Sequence, residues 1–340
     1  MSHAATGRGV GIWALLAGAL LACLLVALMV GKYPLRPADL WQSLAAHLGG
    51  DAGSVPERVE IVLWNLRLPR ILAALLVGAS LSAAGAAYQG MFRNPLVSPD
   101  ILGVSAGAGL GAVLAIFFGM ALPWVQLAAF CGGLLAVASV YLLASRVRRH
   151  DPMLVLVLAG VALSALLGAG ISLLKVLSDP YTQLASITFW LLGGLNGVSH
   201  DDLLGAAPLM LLGALPLILL RWRVNLLGLS DEEAVALGLN VVRTRRLLIV
   251  AATLMTASAV AITGIIGWVG LVVPHMARLL VGAEFSRLLP ASLLLGGSFL
   301  LLTDTLARTV AGMELPLGIL TALVGAPCFL VLLARGGRGA

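Results

Sequence analysis

Between Ile101 and Ser145 the chain runs for 45 residues without one charged side chain. A bilayer core is crossed by about 20 apolar residues in a helix, because lipid offers no partner to a backbone amide and the helix satisfies its own. The run is therefore two crossings, divided at the Gly119 to Pro123 segment. Comparable runs follow the same logic at Val10–Gly31, Ile71–Phe92, Pro152–Leu174 and Leu203–Leu220. Leu247–Ala277 is too long for one straight span, and Gly264, Gly267, Gly270 and Pro274 break it into helices near 247–267 and 268–283. Two more spans fall near 288–307 and 315–334, while Pro180–His200, uncharged but rich in Gly, Ser, Thr and Asn, reads as an interfacial or re-entrant piece. The first run could be a secretory signal, but its length and the lack of a clear small-x-small cleavage site favour an uncleaved helix. The reading is an all-α polytopic membrane protein of about ten transmembrane helices, one domain over residues 1–340.

Composition agrees: 60% of the residues are hydrophobic and 11% charged, more apolar surface than a soluble domain can use. Forty glycines suit helices that must approach closely in lipid. Cys23, Cys131 and Cys328 each sit alone in an apolar run, with neither disulfide nor metal spacing. The net charge of +6 is spread between hydrophobic runs instead of forming a nucleic-acid stripe. With the N-terminus inside, fourteen Lys and Arg fall on cytoplasmic segments and seven on outer ones, so the positive-inside rule favours both termini in the cytoplasm.

Only two lysines occur, Lys32 and Lys175, and neither ends a phosphate-binding Gly-x-x-x-x-Gly-Lys-Ser/Thr loop, so any ATP must be hydrolysed by another subunit. Asp304 is the only acid well inside a span, four residues before Arg308, and a local ion pair on the helix surface accounts for it. His275 follows Pro274 and reads as a packing or kink-satisfying residue. No His/Cys/Asp cluster suits a metal, and no nucleophile or acid-base pair suggests catalysis. Asn94-Pro95-Leu96-Val97-Ser98-Pro99, leading into a glycine-rich run, is explained by a tight turn with a glycine-rich packing face, with a functional segment as the lesser alternative. Ser230-Asp231-Glu232-Glu233 opens a short helix near 230–238, with Ser230 as cap and Glu233 closing a capping box; a solvated loop helix would look the same.

Ordered motifs carry a further resemblance. They are Leu66-Arg67-Leu68-Pro69-Arg70, Gly85 through Tyr88-Gln89-Gly90, Asn94-Pro95-Leu96 with Leu102-Gly103-Val104-Ser105, Ala159-Gly160-Val161-Ala162-Leu163 and Phe189-Trp190-Leu191-Leu192-Gly193-Gly194. Ala236-Leu237-Gly238, Gly270-Leu271-Val272-Val273-Pro274-His275 with Arg278, Asp304 with Arg308, and Glu314-Leu315-Pro316-Leu317-Gly318 running to Gly325-Ala326-Pro327 complete the set. From about residue 60 to 334 the chain resembles the FecCD-type permeases, the membrane subunits of ABC importers for cobalamin, haem and iron-siderophore complexes.

The resemblance implies a non-catalytic type II ABC importer permease in the bacterial inner membrane. Its partners would be a second permease copy, two cytoplasmic ATPase subunits that hold ATP and Mg, and a periplasmic substrate-binding protein. No cofactor belongs to this chain. Arg67, Arg70 and Arg308 would be outer-surface docking residues for that binding protein. Asn94, Pro95 and Leu96 would narrow the cytoplasmic end of the path. The chain departs from the family near 152–155, where Pro152, Met153 and Leu154 make a more apolar constriction. Ser230, Asp231, Glu232, Glu233, Ala236, Leu237 and Gly238 would form the coupling helix that receives the ATPase stroke. A ferric-siderophore chelate is the expected cargo, with haem, cobalamin and molybdate as alternatives. The rival classes are a stand-alone secondary carrier and an integral membrane enzyme.

Overall fold

The computed structural model describes residues 2–48, 55–147 and 152–336, and every regular element among them is helical. Arg148, Arg149, His150 and Arg338 lie outside these residues. In chain order the helices are α1 (Ser2–Met29), α2 (Pro37–His47), α3 (Glu57–Met91), a 3-10 turn (Pro99–Leu102), α4 (Val104–Phe117), α5 (Leu122–Arg146) and α6 (Pro152–Leu177). There follow α7 (Gln183–Leu192), α8 (His200–Leu219), α9 (Arg221–Leu226), α10 (Asp231–Ala236), α11 (Val241–Thr263), α12 (Val269–Val281), α13 (Phe285–Thr309) and α14 (Leu317–Gly336). Among the described residues seven of these, α1, α3, α5, α6, α8, α11 and α13, are long and apolar enough to cross a membrane. Four shorter apolar helices, α4, α7, α12 and α14, complete the set.

The long uncharged run divides where expected. Gly119 takes φ +68°, its amide bonds to Ile116 O and that of Met120 to Ala115 O, so the last carbonyls of α4 are satisfied before α5 begins. The second helix differs from expectation: it begins at Glu57, fourteen residues before Ile71, and runs unbroken to Met91. Residues Ile61–Arg67 form a π-helical stretch that ends two residues before Pro69. Proline has no N–H to continue the ladder, and the wider π turn carries the chain past it. The loosened backbone leaves Trp64 O to accept from His200 Nε2 at 2.9 Å. Helix α2 is pinned over this region by Ser43, whose hydroxyl donates to Glu60 at 2.5 Å and accepts from Trp64 Nε1 at 2.8 Å.

Burial separates hub from rim. In α3 78% of the apolar window is buried and in α11 72%, against 11% in α1 and in α6. The hub packs through small residues: a Cβ on Gly85 would collide with the backbone of Gly270 in α12, and one on Gly78 with the backbone of Gly296 in α13. Such backbone-to-backbone seams give van der Waals contact where lipid supplies no hydrophobic drive.

Candidate functional site

At the end of α3 nearest its start, four segments converge on three arginines. Arg70 Nε donates to both carboxylate oxygens of Asp304, at 2.9 and 3.1 Å, and its Nη1 donates to Glu314 at 2.9 Å. Arg308 Nε lies 3.2 Å from the same Asp304, one helical turn away, and its Nη2 donates to Ala27 O at 3.3 Å. Arg67 donates to Leu28 O and Tyr33 O, clasping the end of α1. The expected Asp304–Arg308 pair is therefore present but not on a helix surface: Asp304 is 0% exposed. The expectation of outward-facing arginines also needs correction, because Arg67 is 5% and Arg308 8% exposed. A buried carboxylate requires compensating charge, so Arg308 is drawn inward with Asp304, whereas Arg67 is held in by the carbonyls of Leu28 and Tyr33 at the end of α1. What opens outward beside them is a cavity of about 280 Å³ lined by Lys32, Asn65, Arg67, Arg70, Asn196, Arg308 and Glu314. A larger cavity of about 540 Å³ lies among the ends of α4, α7 and α11, where Gln126, Thr182, Gln183, Ser186, Asn196 and Thr263 stand beside Phe189 and Trp190, and its lining holds no charged side chain.

Past the other end of α3 the short helix forms as its sequence requires. Ser230 Oγ accepts from Glu233 N at 3.2 Å, and Glu233 returns the bond by accepting from Ser230 N at 3.0 Å. The C-terminus closes equally well: Gly238, at φ +83°, donates to Val235 O at 2.9 Å and Leu239 donates to Ala234 O at 3.0 Å. This reciprocal pair needs a left-handed residue that glycine supplies without steric cost. Leu239 and Ala234 are buried, whereas Glu232, Val235 and Leu237 face out of the protein. The Ser230 amide, and after it the Ser230 hydroxyl, hold the Glu233 carboxyl below the usual range.

A contact that the sequence does not announce joins this helix to the turn after α3. Asp231 accepts from Arg93 Nη2 at 2.5 Å and from both terminal nitrogens of Arg245 at 2.7 Å. Hydrogen bonds from Arg245, reinforced by the charges of Arg245 and Arg93, keep the Asp231 carboxyl below its ordinary range. Arg93 also donates from Nε to Leu227 O at 2.9 Å and adopts φ +52°, the left-handed region. The next residue, Asn94, closes an Asx turn by accepting from Leu96 N at 2.9 Å. Leu96 is 47% and Leu154 50% exposed, so both apolar side chains stand clear of the chain's own core, while Met153 packs partly against it.

Between the two ends, buried Gln89 donates to Leu271 O at 3.0 Å and accepts from Arg278 Nη2 at 3.3 Å, tying α3 to α12. His275 does not satisfy the Pro274 kink: its Nδ1 is buried without a hydrogen-bond partner and its ring meets Phe329 edge-on. Nothing in the sequence marks Arg245 as a partner of Asp231 or Glu314 as a partner of Arg70; the signal available for Arg93 was its place directly before Asn94-Pro95.

A multi-pass helical membrane protein with charged clusters at both ends and a doubly capped loop helix fits the class of transporter permeases. The model of the FecCD transport family matches residues 19–335, and the chain belongs to that family of ABC transporter permease components. It is 41% identical over 314 residues, 92% of each chain, to the molybdate import system permease protein MolB of Haemophilus influenzae. It is 45% identical to the cobalamin import system permease protein BtuC of Halobacterium salinarum, over 82% of this chain and 75% of that one. Among solved structures, a chain of a metal-chelate type ABC transporter in an inward-facing conformation superposes with a TM-score of 0.85 at 39% identity, covering 94% of this chain and 97% of the other.

Proposed function

We propose that the chain is the permease subunit of an ATP-driven importer that receives a ferric-siderophore-type metal chelate from a periplasmic binding protein and passes it to the cytoplasm by alternating access. The observation that carries this reading is the capped helix Asp231–Ala236, which holds Val235 and Leu237 outward on a rigid stub. A six-residue helix does not survive in water by propensity alone, and full capping at both ends suits a part that must bear force against a partner. That partner is read as a cytoplasmic ATPase, one for each permease in a homodimer. Ten crossings follow when α4, α12 and α14 are added to the seven long helices and α7 is taken as re-entrant. The half-exposed Leu96 and Leu154 are then assigned to the cytoplasmic constriction facing the second copy.

Docking of the binding protein is assigned to the cavity edged by Lys32, Arg67, Arg70 and Arg308, into which an acidic side chain would reach to meet the guanidinium groups. The neutral amide and hydroxyl lining of the larger cavity suits a preassembled cargo that must be released again, since a conducting path needs weak sites.

A second cargo, an oxyanion such as molybdate, is favoured by one observation: the Haemophilus relative named for molybdate aligns over nearly the full length of both chains. Vesicles carrying the chain with its ATPase and binding protein, supplied in turn with a ferric hydroxamate, haem, cobalamin and molybdate, distinguish these cargoes. Uptake by vesicles that hold the chain alone, without ATPase and ATP, would overturn the importer reading altogether.

A further inference from the structure

The cytoplasmic stub and the turn after α3 are separate motifs in the sequence, yet one carboxylate holds them together. We propose that Asp231, clamped between Arg93 and Arg245, is the positioning residue through which movement of the loop helix reaches the constriction at Asn94–Leu96. This rests on reading Asp231–Ala236 as the coupling helix.

The geometry favours a link over a simple surface pair. Asp231 is the first residue of its helix, so its carboxylate moves with the helix end instead of sampling a free rotor. Arg245 approaches it with both terminal nitrogens at 2.7 Å, the fork-on-fork arrangement that fixes direction as well as distance. Arg245 belongs to α11, whose apolar window is mostly enclosed, so one side of the clamp is anchored in the membrane hub. On the other side Arg93 holds Asp231 at 2.5 Å and Leu227 O at 2.9 Å. Arg93 and the constriction are contiguous: the next residue is Asn94, whose side chain shapes the turn by accepting the Leu96 amide. Arg93 is also one of two non-glycine residues with positive φ among those described. A strained backbone of this kind persists only where its surroundings fix it, and here two hydrogen-bonded anchors do so. A shift of the loop helix must therefore either carry Arg93 along or break a charge-assisted bond, and in both cases residues 94–96 lose their present support.

The test uses the permease assembled with its ATPase in lipid nanodiscs. A cysteine replaces Leu96 in a background where Cys23, Cys131 and Cys328 are serine, and labelling by a water-soluble maleimide is compared without nucleotide and with Mg-ATP and vanadate. Phosphate release reports ATP hydrolysis separately. In Arg93→Gln the nucleotide-driven change in labelling should fall about tenfold, the scale of an ordinary coupling energy, while hydrolysis stays at the parent rate. Arg93→Lys keeps the charge but cannot reproduce the Leu227 bond, and it should restore most of the response. Asp231→Asn should match Arg93→Gln, and the double variant should be no worse than either, because both break one link. A full labelling response in Arg93→Gln, a failure of Lys to rescue, or losses that multiply in the double variant would each overturn the clamp. Leu237→Ala separates the two readings. If it abolishes the response while Arg93→Gln keeps it, the coupling helix stands and the clamp falls. If the parent itself shows no nucleotide response at Leu96, both fall.

Discussion

Arg70 and Asp304 lie 234 residues apart in sequence and meet through three contacts, Nε to both carboxylate oxygens and Nη2 to Oδ1 at 2.9 Å. The pair ties α3 to α13 at the end of the hub where Arg308, Glu314 and the end of α1 also gather. Its worth lies in what the loss of Asp304 would leave behind, the buried Arg308 and the partly buried Arg70 guanidinium groups without their shared carboxylate.

Asp304→Ala should therefore destabilise the protein by about 3–5 kcal/mol, the usual cost of stranding a buried charge. Thermal unfolding in detergent, followed by intrinsic fluorescence, measures it. Combining Asp304→Ala with Arg70→Met should cost less than the sum of the single changes, because the second removes one of the stranded charges.

Gly85→Val should prevent correct assembly, since a side chain there meets the Gly270 backbone, which has nowhere to retreat. Gly168→Ala and Gly205→Ala should be near neutral, because nothing lies within 4 Å of a Cβ at either site. Size-exclusion profiles of fluorescent fusions distinguish the outcomes by the monodisperse fraction.

If the proposed docking site is right, reversing Lys32 to Glu should weaken docking of the binding protein, most strongly at low salt, with little effect on the fold, because Lys32 edges the cavity of about 280 Å³ and is exposed. Arg70→Glu is the poorer probe, since it would set a carboxylate against Asp304 and Glu314 and unsettle the helix ends. Surface plasmon resonance against the binding protein at two ionic strengths checks both. Equal affinity for Lys32→Glu and the parent would remove that lysine from the docking site.

Acid should loosen the loop helix. The folded-state pKa values of Asp231 and Glu233 are lowered by their partners, so their contribution is present above the unfolded carboxylate range and is lost as pH falls through the lower folded values. Hydrogen-exchange protection of the amides of Glu233 and Leu239 should be unchanged from pH 7 to about 5 and drop towards about pH 3. Asp231→Asn should remove part of that dependence.

The parts of this architecture that could be read from the chain are those whose causes are local. The split at Gly119 is signalled by a glycine at the one position that needs a left-handed residue, and the Ser230–Glu233 box has both halves within four residues. The long helix from Glu57 was hidden because Glu57, Arg58, Glu60, Arg67 and Arg70 look like a polar boundary until their partners are known. Arg67 is satisfied by carbonyls of Leu28 and Tyr33, and Arg70 by Asp304 and Glu314, none of them neighbours in sequence. The Asp231 clamp was hidden for the same reason: a topological charge count gives Arg93 and Arg245 a side of the membrane but no partner.

The seam between Gly85 and Gly270 bears on how such a protein can move. Where two main chains touch, there is no layer of flexible side chains to compress or shear, so α3, α12 and α13 behave mechanically as a single block. Opening and closing must then be absorbed at the margins of that block, in the short helices and at the left-handed glycines Gly119, Gly238 and Gly282, where no neighbouring main chain lies close. A transporter built this way would rock as a lever about its rim while its centre keeps its shape.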